Sequence, residues 1–161
     1  MSQLKNKITL NLILLFSIFA ILAAYFIQYV LGHEPCNLCI FERIPYFFSV
    51  IIILICLLIQ KFEKNTLIIL SLTFFIAALL SFYHFGIEQG FIKESLVCDL
   101  NGQNKELSKE ALLNQLKKMP VSCKDVTFKI FGLSLATFNI FISTILSAIT
   151  MTIFLNYEKN K

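Results

Sequence analysis

Four long apolar runs constrain this chain more than any other feature of its sequence. Each reaches or approaches the ~20 residues that a helix needs to cross a bilayer. Because lipid offers the backbone no hydrogen-bond partner, helices are the expected form of such spans. The sequence therefore predicts an all-α membrane protein, a bundle of four transmembrane helices, with spans at about Ile8–Leu31, Ile44–Gln60, Thr66–Phe85 and Ile130–Leu155.

The composition and the connections between the runs refine this prediction. Charged residues make up only 15% of the chain, against about 25% in soluble domains. The first run has about 24 residues, longer than the roughly 7–15 of a signal peptide's apolar region, so we expect a retained span. We expect one membrane domain over residues 1–161, with outer loops at about 32–43 and 86–129. Ser108 predicts the start of a short amphipathic helix in the second loop.

The distribution of lysine predicts the orientation of the chain. Lysines crowd the short segments at both termini and between the second and third runs, whereas those of the 86–129 loop are spread out. Positive charge close to the span ends favours the cytoplasm, so we expect cytoplasmic termini and periplasmic loops. The net charge of +4 comes largely from these flanking lysines. It therefore indicates a membrane environment and no nucleic-acid partner.

The cysteines fall almost entirely on the outer side. Cys36 and Cys39 lie in the first loop, Cys98 and Cys123 lie in the second, and Cys56 lies within a run. Disulfides persist outside the cytosol, so this placement supports the same orientation independently. Cys56 is expected to be an inert buried thiol. The four outer cysteines allow three connectivities, which the residues alone leave open.

Cys36-Asn37-Leu38-Cys39 is the clearest chemical motif. A CxxC pair can cycle between dithiol and disulfide. Pro35 predicts a helix start here, so the helix dipole and Arg43, the only arginine of the chain, both favour a thiolate. The spacing of His33, Cys36 and Cys39 is also that of metal ligands, although Arg43 would oppose a cation.

The oxidation of two thiols releases two electrons, which need an acceptor. The sequence contains no nicotinamide or flavin fingerprint and no cluster that indicates haem or iron–sulfur ligation. A redox pair at the membrane edge is well placed for a lipid-soluble quinone. His84 and Glu88 close the third run, where ionisable groups usually decorate the interface but could also move protons for a quinone.

Several segments resemble one family, the DsbB-like disulfide bond formation proteins, including the DsbI branch. The most specific segment is Pro35–Arg43, PCNLCIFER, combined with four spans and a cysteine pair in the second outer loop. Tyr83–Gly90 and Gly132–Asn139 look like further family segments. The resemblance covers most of the chain.

The resemblance implies a protein-disulfide oxidoreductase of the bacterial inner membrane. Such a protein re-oxidises a periplasmic DsbA-like oxidase of thioredoxin fold, or a dedicated thiol substrate, and passes the electrons to ubiquinone or menaquinone. By this resemblance, Cys98 forms the mixed disulfide with the partner and Cys123 then exchanges with Cys36. Cys39 is implied to be the thiolate next to the quinone, assisted by Arg43.

Two other interpretations of the residues stay open at this point. The chain could be a non-catalytic four-span membrane protein whose loop disulfides are structural staples. It could also be a metal-handling protein that uses His33, Cys36 and Cys39.

Overall fold

The computed structural model of the chain describes residues 2–59, 63–93, 122–124, 128–130 and 132–159. Cys98 and the predicted helix that begins at Ser108 lie outside the described residues. The elements are α1 (Ser2–Tyr29), α2 (Asn37–Phe41), α3 (Ile44–Ile59), α4 (Glu63–Glu88), β1 (Lys129–Ile130), β2 (Leu133–Ser134) and α5 (Leu135–Lys159).

Within the described residues, four helical segments are long and apolar enough to cross a membrane, and α2 and α3 together form the second of them. Large apolar side chains such as Leu58 and Phe141 are exposed on the outside of the bundle. Such a surface suits contact with lipid tails, which are as apolar as leucine. The predicted all-α bundle of four transmembrane helices is confirmed, with spans at Lys7–Tyr29, Asn37–Ile59, Glu63–Glu88 and Leu135–Asn156.

The second span begins at Asn37 and not at Ile44 as predicted. The Cys36 sulfur caps α2 by accepting a hydrogen bond from the backbone N–H of Cys39 at 3.3 Å. Pro45 has no backbone N–H to donate to a carbonyl of the preceding turn. The missing hydrogen bond accounts for the break in the helix between α2 and α3. The CxxC motif therefore lies at the amino end of the second span, as the helix start predicted at Pro35 indicated, although the apolar run itself begins only at Ile44.

The third span ends at Glu88, one turn of helix beyond the predicted Phe85. Gly90 ends it with a φ of 77°, a conformation that glycine adopts at little cost. The backbone N–H of Ile92 then bonds to the carbonyl of Gly86 at 3.1 Å. A Cβ on Gly86 would lie 2.6 Å from Ile92 Cδ1, so a larger residue there would require the Ile92 side chain to shift.

The fourth span begins at Leu135 and not at Ile130, because a β-hairpin precedes it. Lys129 pairs with Ser134, and Ile130 pairs with Leu133, in antiparallel register. The Ser134 hydroxyl accepts a hydrogen bond from the backbone N–H of Thr137 at 3.2 Å. Serine is a favoured residue at this capping position, so α5 starts where Ser134 can satisfy its first N–H groups.

The bundle is held together mainly by α4 against α5, and by α3 against α1 and α4. Cys56 is buried in this core with a free thiol, in the position predicted for it. Close packing of such side chains supplies much of the attraction between helices in a membrane. The core consists of Leu10, Ile13, Tyr46, Ile53, Cys56, Leu67, Leu70 and Phe74.

Two serines join α4 to α5 by reciprocal hydrogen bonds. Ser71 Oγ donates to the carbonyl of Ser147 at 3.2 Å, and Ser147 Oγ donates to the carbonyl of Ser71 at 3.0 Å. We expect the double substitution S71A/S147A to lower the free energy of unfolding by about 1 kcal/mol, since such bonds contribute ~0.6 kcal/mol each on average. Unfolding in detergent mixtures measures this loss.

The control is Thr144→Ala. Thr144 is exposed and its hydroxyl donates to the Ile140 carbonyl of its own helix, so no contact between helices is lost. Equal losses in the control and in the double variant would contradict a contribution from the bonds between α4 and α5.

Candidate redox site

A cavity of about 390 Å³ lies at the end of the bundle that carries the CxxC motif. Helix α1 supplies much of its apolar wall, including Phe16, Phe19 and Ile27. Every described residue among those predicted for the site lines this cavity, whereas Cys98 lies outside the described residues. These lining residues are Cys36, Cys39, Arg43, His84, Glu88 and Cys123.

The two sulfurs of the CxxC motif face each other across the first turn of α2. Cys36 Sγ and Cys39 Sγ lie 2.7 Å apart, and both thiols are free. Cys36 is buried and Cys39 is half-buried. A disulfide needs about 2.05 Å between the sulfurs, so only a small movement of one side chain is required when the pair is oxidised by the loss of two electrons and two protons.

His84 reaches the CxxC motif from the last turn of α4. Its Nε2 lies 3.5 Å from Cys36 Sγ, and its Nδ1 lies 2.8 Å from Glu42 Oε1. An ionised carboxylate only accepts hydrogen bonds, so Nδ1 carries the proton and donates it to Glu42. The imidazole is thereby oriented with Nε2 toward the thiol.

Asn139 ties this pair to the middle of the bundle. Its amide nitrogen donates to Glu42 Oε2 at 3.1 Å and to Ser81 Oγ at 2.7 Å. Its amide oxygen accepts from the Tyr46 hydroxyl and from Ser143 Oγ. One half-buried amide thus links α3, α4 and α5 and fixes the carboxylate that orients His84. A fully partnered polar network of this kind rigidifies the site.

Arg43 lies at the cavity wall with its partners on α1. Its Nη1 donates to Gln28 Oε1 at 2.7 Å, and its Cζ lies 5.1 Å from the centre of the Tyr25 ring. Planar stacking and hydrogen bonding are the usual ways of holding a guanidinium. Arg43 therefore joins α1 to the redox end of the second span and presents a positive charge at the cavity.

Cys123 and Glu88 complete the polar side of the site. Cys123 is disulfide-bonded and is buried in one cluster with Cys36, Leu38 and Ile87. Glu88 Oε1 lies 3.7 Å from His84 Nε2. Glu88 Oε2 is buried without a hydrogen-bond partner among the described residues.

The alternative metal site needs a correction in its ligands. The atoms that lie together are those of Cys36, Cys39 and His84, within 4.8 Å of one another. His33 lines the cavity, but its ring packs against Phe128 with the centroids 5.1 Å apart. The spacing of His33 along the chain suggested a ligand, whereas the packing of α4 against α2 brings in His84.

The contacts around Cys36 favour its thiolate. The hydrogen bond from the Cys39 thiol, together with the hydrogen bond and charge of His84, outweighs burial and lowers the pKa of Cys36 to about 5. The resemblance implied Cys39 as the thiolate. In the dithiol form described here the negative charge is better placed on Cys36, because Cys36 accepts the hydrogen bonds at this end of α2.

We expect alkylation of Cys36 in the reduced protein to be half-maximal near pH 5, the lowered pKa of its thiol. The thiolate is the reactive species, so the rate falls as the pH drops through this value, whereas an ordinary thiol loses reactivity near pH 8.5. Mass spectrometry of the Cys36 peptide after iodoacetamide treatment measures the rate. Cys39→Ala should move the midpoint upward, and a midpoint near pH 8.5 in the unsubstituted protein would contradict the assignment.

Sequence reasoning missed Glu42 and Asn139 as parts of the site. Glu42 is buried next to Arg43, and Asn139 is an amide within an apolar helix. A polar side chain inside a membrane span is costly and usually functional. That signal could have identified Asn139, which the family resemblance had already included in the Gly132–Asn139 segment.

Comparison with known proteins assigns this chain to a family. A model described as disulfide bond formation protein DsbB matches residues 6–153. The chain belongs to the DsbB family. Membership agrees with the four spans and with the paired cysteines of the cavity, and it implies a multi-pass membrane protein with disulfide oxidoreductase activity in general.

A relative extends this finding over nearly the whole chain. The uncharacterized protein RP370 of Rickettsia prowazekii (strain Madrid E) is 32% identical over 154 residues, which cover 94% of this chain and 89% of the relative. No solved structure matches the chain. The DsbB assignment therefore rests on the family model.

Proposed function

We propose that this protein re-oxidises a periplasmic DsbA-like thiol oxidase, or a dedicated thiol substrate, and passes the electrons to membrane quinone. The observation that carries the proposal is one cavity lined by the free CxxC pair, by His84 and Arg43, and by the disulfide-bonded Cys123. The charge pattern supports a placement in the bacterial inner membrane with cytoplasmic termini and periplasmic loops.

The outer half of the proposed relay consists of Cys98 and Cys123. The other described cysteines are free, so we propose Cys98 as the disulfide partner of Cys123. A thiolate of the partner protein attacks Cys98, the Cys98–Cys123 bond breaks, and Cys123 leaves as a thiolate. The second thiol of the partner then closes the partner's own disulfide and releases Cys98, so two electrons reach the loop pair.

The inner half is the Cys36–Cys39 pair in its disulfide form. Cys123 attacks Cys36, with which it shares a buried cluster, and Cys39 leaves as a thiolate. Cys98 then attacks Cys123, restores the outer disulfide and releases Cys36. Cys39 is thus the thiolate while Cys36 is bonded to Cys123, whereas Cys36 is the favoured thiolate once both are reduced.

The cavity fits a quinone head group. Its volume of about 390 Å³ falls in the range of ligand pockets, which are mostly apolar with a few polar groups. Arg43, His84 and Glu88 would hold the polar end, and α1 would cover the apolar end. A bound quinone would accept the two electrons and two protons that re-oxidation of Cys36 and Cys39 releases.

An anaerobic assay of the purified protein tests this function. Reduced DsbA-like protein is supplied together with ubiquinone or menaquinone, and the loss of quinone absorbance is followed alongside partner oxidation. We expect one quinone consumed per partner disulfide formed. If the partner stays reduced, or is oxidised with no quinone consumed, the proposal fails. The interpretation of the loop disulfides as structural staples predicts no turnover and a potential below about −300 mV for each disulfide.

A further inference from the structure

The reduced redox site contains the donor set of a metal centre. The sulfurs of Cys36 and Cys39 and a ring nitrogen of His84 lie within 4.8 Å of one another. Thiolates and imidazole are the ligands that Zn²⁺ prefers in proteins. We propose that the reduced site binds one thiophilic divalent cation such as Zn²⁺ through Cys36, Cys39 and His84, and that this binding holds the pair in the dithiol state.

The distances suit a shared ion. Cys36 Sγ and His84 Nε2 lie 3.5 Å apart. With bonds of about 2.3 Å to sulfur and about 2.0 Å to nitrogen, two ligands of a tetrahedral Zn²⁺ lie roughly 3.5 Å apart. Cys39 Sγ lies closer, at 2.7 Å from Cys36 Sγ, and would move outward by roughly 1 Å to bind the same ion.

The orientation of His84 is that of a metal ligand. Its Nδ1 donates to Glu42 Oε1 at 2.8 Å, which turns Nε2 toward the two sulfurs. The proton through which Nε2 bonds to the Cys36 sulfur would leave as the ion binds. Histidines that bind metals usually donate their other ring N–H to a carboxylate in this way. Glu42 is in turn held by Asn139, so the imidazole is fixed before any ion binds.

Glu88 lies beside the three donors, next to His84. Its side chain is only 6% exposed, and Oε1 lies 3.7 Å from His84 Nε2. Oε2 is buried without a hydrogen-bond partner among the described residues. A buried carboxylate oxygen without a hydrogen bond or an opposite charge is costly, and a nearby bound cation would provide that charge. The donor set of the described residues is two sulfurs and one nitrogen, with the Glu88 carboxylate beside it.

Arg43 opposes a cation less than its position in the sequence suggests. Its guanidinium donates to Gln28 Oε1 and stacks over the Tyr25 ring, both on α1. The positive charge is therefore held on the α1 side of the cavity by these two partners. His84 approaches the sulfurs from α4, on another side of the site.

Metal binding moves no electrons. The ion replaces the protons that the two thiols and His84 Nε2 still carry, and these protons are released to solvent. A disulfide has no thiolate to offer, so only the reduced pair binds. Because both sulfurs are then occupied, disulfide exchange stops until the ion leaves. This effect on turnover rests on the proposed function, whereas the binding itself does not.

The test is a titration of the reduced full-length protein with Zn²⁺, without partner or quinone, against a chromophoric chelator. Cys98 and Cys123 are both replaced by alanine so that loop thiols cannot compete. We expect one ion per chain in the reduced protein and none after the Cys36–Cys39 disulfide is formed. Co²⁺ in place of Zn²⁺ should show a sulfur-to-metal charge-transfer band.

Variants separate this site from unspecific binding. Cys36→Ala or Cys39→Ala should abolish the tight site, and His84→Ala or His84→Gln should lower affinity at least ~10-fold. Glu42→Gln should lower it about 10- to 100-fold, the usual effect of losing such a carboxylate. Cys56→Ala and His33→Ala are the controls and should leave affinity unchanged. Equal binding by the disulfide form, or unchanged affinity in both His84 variants, would overturn the proposal.

Discussion

Replacing Cys36 by alanine should abolish thiol-driven quinone reduction, with a loss of at least about 10³-fold, as for the nucleophiles of other enzymes. Cys36 is the sulfur that contacts His84 and shares a buried cluster with Cys123. Without it, Cys123 has no disulfide to attack and Cys39 has no partner. The measurement is the rate of quinone absorbance loss with reduced partner under anaerobic conditions.

Cys56→Ala is the matched control, since it removes a buried free thiol from the same helical bundle. Cys56 lies in the core cluster and takes no part in the cavity. We expect its rate to stay within a few-fold of the unsubstituted protein. A Cys36→Ala variant that retained substantial activity would rule out the proposed exchange through Cys36.

Replacing His84 by alanine should lower the rate of quinone reduction by about 10²- to 10⁴-fold, the usual contribution of a group that transfers protons. His84 is the imidazole that joins the Cys36 sulfur to the Glu42 carboxylate. Its loss removes the stabilisation of the Cys36 thiolate and leaves Glu42 with one buried partner fewer. The measurement is the rate of quinone reduction across a range of pH.

Two variants check that this effect is specific. His33→Ala removes the other histidine of the cavity, whose ring packs against Phe128, and should change the rate little. Cys36 alkylation in His84→Ala should shift its midpoint upward, because a stabilising contact is lost. A His84→Ala protein with an unchanged rate and an unchanged alkylation profile would contradict the role of His84.

The transmembrane architecture could be predicted from sequence because each long apolar run by itself indicates one transmembrane helix. The ends of the spans were less accurate, since they depend on local hydrogen bonds. Cys36 caps α2 with its sulfur and moves the start of the second span back to Asn37. The hairpin before Ser134 delays the start of α5. Neither device changes hydropathy, so a search for apolar runs does not detect them.

The members of the site could be predicted better than their contacts. Cys36, Cys39 and Arg43 are spaced by three and four residues in sequence, so each is expected about one helical turn from the next. His84 meets Cys36 only because α4 packs against the redox end of the second span with a particular face. The Glu42 and Asn139 contact likewise depends on how α5 is rotated in the bundle. The face that each helix turns toward the site is set by packing between helices, and the spacing of residues in a motif does not predict it.

The preference for a Cys36 thiolate is a consequence of those contacts. From spacing alone, the helix dipole and Arg43 favoured either sulfur of the CxxC pair. In the structure Arg43 engages Gln28 and Tyr25, whereas His84 and the Cys39 N–H both approach Cys36. The charge of a dithiol site is therefore decided by the neighbouring helix as much as by the motif.

Exchange between the loop pair and the CxxC pair is the central step of the proposed relay, and trapping it is the most direct test. A variant with Cys39→Ala and Cys98→Ala keeps Cys36 and Cys123 as the two exchanging sulfurs. We expect these two to form a disulfide, recovered as one linked peptide pair in a non-reducing mass map. Recovery of Cys36 and Cys123 as separate free thiols, under conditions that oxidise the unsubstituted protein, would contradict the relay.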